Sequence, residues 1–226
     1  MGLNATNAGN GSTFKYTPLE GGAYPARLVA VIDMGLQPQR PWQGQEKPPM
    51  QEIGLTYELT DEFMADEDGE PMLDKPRWIS EFLPLHNINA EKAKSTKRYK
   101  ALDPTGKFGG DFSALIGTPV LVTIVQSPVT KGKNAGRIYE NVVDITSMRQ
   151  KDAKQTPPLV NAPNVFDLDV PDMEVFNRLP KFIKAKIMAN LNFNGSTLEA
   201  ALANTSDAPP KQAAATEETL DDDVPY

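Results

Sequence analysis

A mainly β fold is predicted by three observations. Five apolar stretches run at strand period, one Lys- and Ala-rich helical stretch falls between the third and fourth, and 20 prolines with 16 glycines supply turns along 226 residues. That length holds one ordinary domain with extensions. The hydrophobic fraction of 39% is enough for one core but low for a chain packed throughout, so disordered ends are expected.

Residues 1–21 are dominated by Asn, Gly, Ser and Thr and read as a disordered N-terminal arm. Residues 24–33 are rich in β-branched and apolar types, with Pro25 near the start where a missing N–H is tolerated, and form the first expected strand. After a loop holding Arg40, Trp42, Gly44 and Lys47, the alternation of Ile53, Leu55, Tyr57 and Leu59 predicts the second strand. The Asp68-Gly69 turn signal leads into a third at residues 77–85. Asn89 can cap a helix running to Leu102, and a short helical piece is expected at residues 112–116. Residues 119–125 and 137–145 make strands four and five, joined by a Gly- and Lys-rich linker.

Three strands, a helical connection and two strands within residues 22–150 match the layout of a five-stranded OB-type Greek-key barrel. Residues 151–204 are expected to be a linker and a C-terminal helical extension. Within it, Met173, Val175, Phe176, Leu179, Phe182, Ile183, Ile187 and Leu191 fall at helical spacing and Pro180 interrupts the helix. Residues 205–226 have no apolar period and read as a disordered acidic tail.

The absence of cysteine excludes disulfides, thiolate zinc sites and cysteine nucleophiles, and points to a reducing, cytoplasmic setting. The single histidine, His86, is read as structural. No apolar run reaches the roughly 18 residues of a membrane span, and no signal-peptide pattern opens the chain. Gly106-Lys107 lacks the flanking residues of a phosphate loop, and Gly69 would place Met64 at the first ligand position of a calcium loop. No catalytic residue, metal or cofactor is expected.

The net charge of −7 is uneven: residues 205–226 hold one Lys against six acids, so residues 1–204 carry only −2. Basic groups gather at Lys92, Lys94, Lys97, Arg98 and Lys100, and again at Lys131, Lys133 and Arg137. Such runs make either a polarised surface or merely a solvated face. Alternation puts Trp78, Ser80 and Phe82 on one face of the third strand, where the aromatic rings either pack beneath the C-terminal helix or form a base-stacking platform. In the loops, Trp42 with Arg40 and Lys47, and Lys131 with Lys133, join ring faces to phosphate-neutralising ammonium groups. Trp42 could instead fold back onto the barrel. The expected DNA-binding set is Arg40, Trp42, Lys47, Arg77, Trp78, Phe82, Lys131, Lys133, Arg137 and Tyr139.

The chain ends Asp221-Asp222-Asp223-Val224-Pro225-Tyr226. This tip resembles that of bacterial single-stranded DNA-binding proteins, which end in three Asp, an aliphatic residue, Pro and Phe; Val224 and Tyr226 depart from it conservatively. The body resembles the replication-associated single-stranded DNA-binding proteins of tailed bacteriophages in Tyr24-Pro25-Ala26-Arg27-Leu28 with Ile32-Asp33, Lys75-Pro76-Arg77-Trp78-Ile79-Ser80, Leu115-Ile116-Gly117 and Pro171-Asp172-Met173-Glu174-Val175-Phe176. The resemblance implies an OB fold with a helical extension that binds single-stranded DNA in the cytoplasm of a bacterial host, without metal or nucleotide. It also implies replication or recombination proteins as partners of Asp221–Tyr226. An adaptor built on the same barrel and a DNA-processing nuclease stay open as alternatives, as does a homo-oligomer.

Overall fold

β1 (Gly22–Gln37) serves two apolar layers at once. Register shifts at Leu28/Ala30 and Asp33/Gly35 break its strict alternation, as bulges do by inserting an unpaired residue and bending the strand. Leu28 and Val31 therefore face one core, while Val29, Ala30, Ile32 and Met34 face the other. At the second shift, Gly35 adopts φ 75°, and a Cβ there would lie 2.6 Å from Asn190 Cγ. Only glycine lets the C-terminal segment approach β1 this closely.

The computed structural model describes residues 17–133 and 135–206. β1 pairs antiparallel with β2 (Met50–Ala65), which pairs with β3 (Pro71–Pro84); on its other edge β1 pairs with β4 (Pro119–Pro128), which pairs with β5 (Ile138–Ser147). The strand order is β3-β2-β1-β4-β5. β6 (Asn164–Phe166) adds a short parallel pairing along Ala30–Ile32, further along β1 than the stretch that pairs with β4. The fold is mainly β, as expected, with a few helices. Its sheet is not closed: among the described residues no backbone ladder joins β3 to β5.

Side chains span that opening instead. α1 (Lys94–Leu102) sends Arg98, 1% exposed, to Glu81 of β3 through Nε at 2.8 Å and Nη2 at 3.2 Å, and to Asp144 of β5 through Nη1 at 2.9 Å. Tyr57 also donates to Glu81 at 3.0 Å, and burial pushes its hydroxyl well above the ordinary tyrosine pKa. A second tie, Arg77–Glu140 at 3.1 Å, links the same two strands. Inside lies a core of alternating strand residues such as Leu55, Leu59, Ile79, Leu83, Val122 and Ile145, capped by Tyr99 and Phe112 in edge-to-face contact.

The chain after β5 forms the other layer. α2 (Gln150–Gln155) leads to β6, then α3 (Met173–Arg178) and α4 (Lys181–Met188) break at Leu179-Pro180, as Pro180 predicts. Asp172 caps α3 by accepting from Glu174 N and Val175 N. Phe166, Val175, Phe176, Ile183, Ile187 and Leu198 of α5 (Thr197–Ser206) cover the outer side of β1. The extension shares a sheet and a core with the strands.

Several boundaries differ from expectation. Within residues 17–21, assigned to the arm, Leu19 is packed: it is 4% exposed, its carbonyl accepts from Gln126 at 2.9 Å and its N–H donates to Glu140. α1 starts at Lys94, because residues 87–93 form turns in which Asn87 Oδ1 accepts from Asn89 N. Asn89 caps nothing there. The segment at 112–116 is one 3-10 turn, Ser113–Leu115. α2, β6 and α5 carry no strong period and were not foreseen. Among the described residues no helix is long and apolar enough to cross a membrane.

Candidate nucleic-acid interface

The β2–β3 ladder pairs Glu58 with Trp78, Thr56 with Ser80 and Gly54 with Phe82. Because Tyr57, Leu59, Ile79 and Leu83 take the inner face, these six residues line the outer one. Trp78 is 47% exposed there, its indole N–H pointing to Glu58 Oε2 at 3.4 Å. Phe82 meets a different fate. Phe182 of α4 stands edge-on to it at 6.5 Å, and Lys186 Nζ sits 5.0 Å from its ring centre. Gly54 makes room beneath, since a Cβ would come within 3.0 Å of the Phe82 ring. Between the two aromatics, Thr56 Oγ1 and Ser80 Oγ lie 2.9 Å apart at the surface.

A strap formed by residues 156–161 bounds this trough, held by a cross-strand pair of residues, Arg27 and Glu58. Arg27 donates to Pro157 O at 2.5 Å, Thr156 O at 2.8 Å and Gly117 O at 2.6 Å. Glu58, 1% exposed, accepts from Val160 N at 2.7 Å, Asn161 N at 3.1 Å and Asn161 Nδ2 at 2.7 Å. Arg27 takes two of the strap's carbonyls and Glu58 two of its N–H groups, so both ends of the strap are tied to the sheet. The extension thus buries the outer side of β1 together with Glu58 and part of Phe82, and leaves Trp78 and Ser80 of the β2–β3 strip exposed.

The two expected loops lie at opposite ends of β1. The first follows Gln37, where Gln37 pairs with Met50. There Trp42 and Gln45 exchange backbone hydrogen bonds at 2.9 and 3.0 Å, and Gln43 and Gly44 take φ 52° and 78°, the signature of a type I′ turn. Trp42 is 45% exposed at this tip with Lys47 Nζ 5.6 Å from its ring, and Arg40 is exposed just before it. Trp42 does not fold back into the core. The second loop leaves β4 at Pro128, beyond the Gly22 end of β1, and is closed by Val129 N to Arg137 O at 2.9 Å. Lys131, Lys133 and Arg137 are exposed on it, and Tyr139 is half-buried on β5.

Other basic residues serve the fold. Arg77 also donates to Thr17 O at 2.9 Å, and burial lowers its pKa from the ordinary arginine value although Glu62 and Tyr24 oppose the shift. It is a strut between β3 and β5 rather than an outward phosphate ligand. Within the Lys92–Lys100 run, Arg98 is buried and Lys94 binds Glu81 at 3.0 Å, while Lys92 and Lys97 face solvent. His86 Nδ1 lies 3.0 Å from Pro84 O. The tip Asp221–Tyr226 lies outside the described residues.

Reasoning from sequence alone missed Arg27 and Glu58 as strap holders and the basic, aromatic side of α4. Helical spacing assigned Phe182 to the buried stripe, yet it is 39% exposed. The signal available was Lys181–Met188 itself, which carries three lysines and no acid. No known family model matches this chain, and no curated protein or solved structure matches it either.

Proposed function

We propose that this chain is a non-enzymatic single-stranded DNA-binding protein of phage-type replication or recombination, built on an OB-type barrel whose β3–β5 seam is closed by side chains. The strand order β3-β2-β1-β4-β5, with α1 inserted between β3 and β4 and spanning the seam, supports that assignment. The observation that carries the functional reading is Trp78, an indole 47% exposed beside the surface hydroxyls of Thr56 and Ser80 on β2–β3. A ring face open to solvent stacks on any base, and hydroxyls donate to phosphate or base edges without selecting a sequence. Trp42 and the Lys131–Lys133 loop extend the same chemistry to the two ends of β1.

The tip Asp221–Tyr226 supplies the second half of the proposal: acidic residues before an aromatic C-terminus suit a partner with a basic-rimmed apolar pocket. The full chain should bind poly(dT) in EDTA far better than duplex DNA, with affinity falling as salt rises because phosphate contacts release counterions. Trp78→Ala should weaken that binding by about 1 to 3 kcal/mol. Equal affinity for duplex DNA, or no binding to poly(dT), would overturn the reading.

A further inference from the structure

We infer that Glu58 is the positioning residue of the candidate interface: its carboxylate ties the strap at Val160–Asn161 to the indole of Trp78, so the strap sets the plane on which a base stacks. This rests on the single-stranded DNA reading above. Three register partners make a row across the sheet. Arg27 of β1 lies opposite Glu58 of β2, and Glu58 lies opposite Trp78 of β3, so all three share the outer face. The first two hold the strap, and the third is the exposed ring.

Glu58 is 1% exposed, so donors of the protein fix its carboxylate. Three bonds come from the strap, at 2.7 Å from Val160 N, 3.1 Å from Asn161 N and 2.7 Å from Asn161 Nδ2; the fourth, from Trp78 Nε1, is the longest at 3.4 Å. The strap therefore places the carboxylate, and the indole takes its orientation from it. An indole N–H lies in the plane of the ring, so this bond occupies an edge of Trp78 and neither of its faces. A surface ring that turned freely would have to be ordered by each incoming base, a cost that a ring held in advance avoids. Coupling of this kind runs both ways: what the closed strap contributes to stacking, a stacked base returns to strap closure.

The test is a double-mutant cycle on oligo(dT) binding by the full chain, using Glu58→Ala, Trp78→Phe and the two changes together. Trp78→Phe keeps a ring and removes the N–H that Glu58 holds. Glu58→Ala is expected to weaken binding by about threefold to tenfold in the unaltered chain, the range for ordering one side chain. In the Trp78→Phe background the same change is expected to cost less than about twofold, because no tether remains to be lost. Equal losses in the two backgrounds would overturn the positioning role and leave Glu58 as a strap holder alone. If Glu58→Ala lowers the melting temperature too far for the cycle, hydrogen exchange with Glu58 intact decides. Saturating oligo(dT) is expected to slow exchange at the Val160 and Asn161 amides of the unaltered chain by about the same threefold to tenfold, and much less in Trp78→Phe. Equal slowing in both, or none in either, would overturn the inference. Failure of the unaltered chain to bind oligo(dT) would instead sink the underlying reading.

Discussion

Two glutamates are buried on opposite faces of the β2–β3 ladder, and their environments differ. Glu81, on the inner face, is met by charge: Arg98 at 2.8 Å, Lys94 at 3.0 Å and the Tyr57 hydroxyl. Glu58, on the outer face, is met by neutral N–H donors of a strap about 100 residues further along the chain. The inner group ties a seam the backbone leaves open, and the outer one fixes the strap over the outer face of the sheet. Loss of the first should therefore propagate through the whole fold, and loss of the second should stay local.

The largest effect is expected from Arg98→Ala. It strands Glu81, 7% exposed, without its main counter-charge, and breaking one partner of a buried pair costs about 3 to 5 kcal/mol. Denaturant melts should show that loss, with amide protection falling throughout the strands. Replacing both partners, Arg98→Met with Glu81→Leu, should recover part of it, because no uncompensated charge remains. A double variant no better than Arg98→Ala would show that Asp144 and Tyr57 matter more than the pair.

Glu58→Ala should cost less, about 1 to 3 kcal/mol, since it leaves neutral donors without an acceptor. Hydrogen exchange should accelerate at Val160 and Asn161 before the inner strands respond, as local opening permits. Uniform loss of protection would erase the distinction between the two faces.

The smallest effect sharpens the comparison through pH. Asp103, at the end of α1, resembles Glu58 in collecting neutral donors: Phe108 N at 2.8 Å, Lys107 N at 3.0 Å, and the Thr105 and Tyr99 hydroxyls. Burial raises its pKa, but these hydrogen bonds outweigh burial and hold the carboxyl below the ordinary Asp value. Its contribution to stability is present above the unfolded-state Asp pKa and is lost as pH falls through the depressed folded value. Melting temperatures measured from neutral to acid pH should show a shallower acid limb for Asp103→Asn. An unchanged limb would mean that the depressed pKa does not couple to folding.

The strands of the inner core were legible from alternation, and the break at Pro180 from its missing N–H, because both depend on local periodicity. The candidate strip was legible only in outline. Trp78, Ser80 and Phe82 were placed on one face correctly, yet which ring stays open depends on α4, about 100 positions away. Arg77 read as a phosphate ligand because its partner Glu140, 63 residues distant, has no local signature.

By itself the sequence determined that the chain is mainly β, that one helix separates the third and fourth strands, that the helix of the extension breaks at Pro180 and that residues 205–226 carry six acids against one Lys. Each follows from side-chain types a few residues apart. Only the tertiary structure decided that Leu19 belongs to the core, that the β3–β5 seam is held by ion pairs rather than a ladder, and that Arg27 and Glu58 clamp a strap over the sheet. These outcomes depend on donors and acceptors brought together across 17 to 130 residues, and a buried polar group is stable only when such a partner satisfies it.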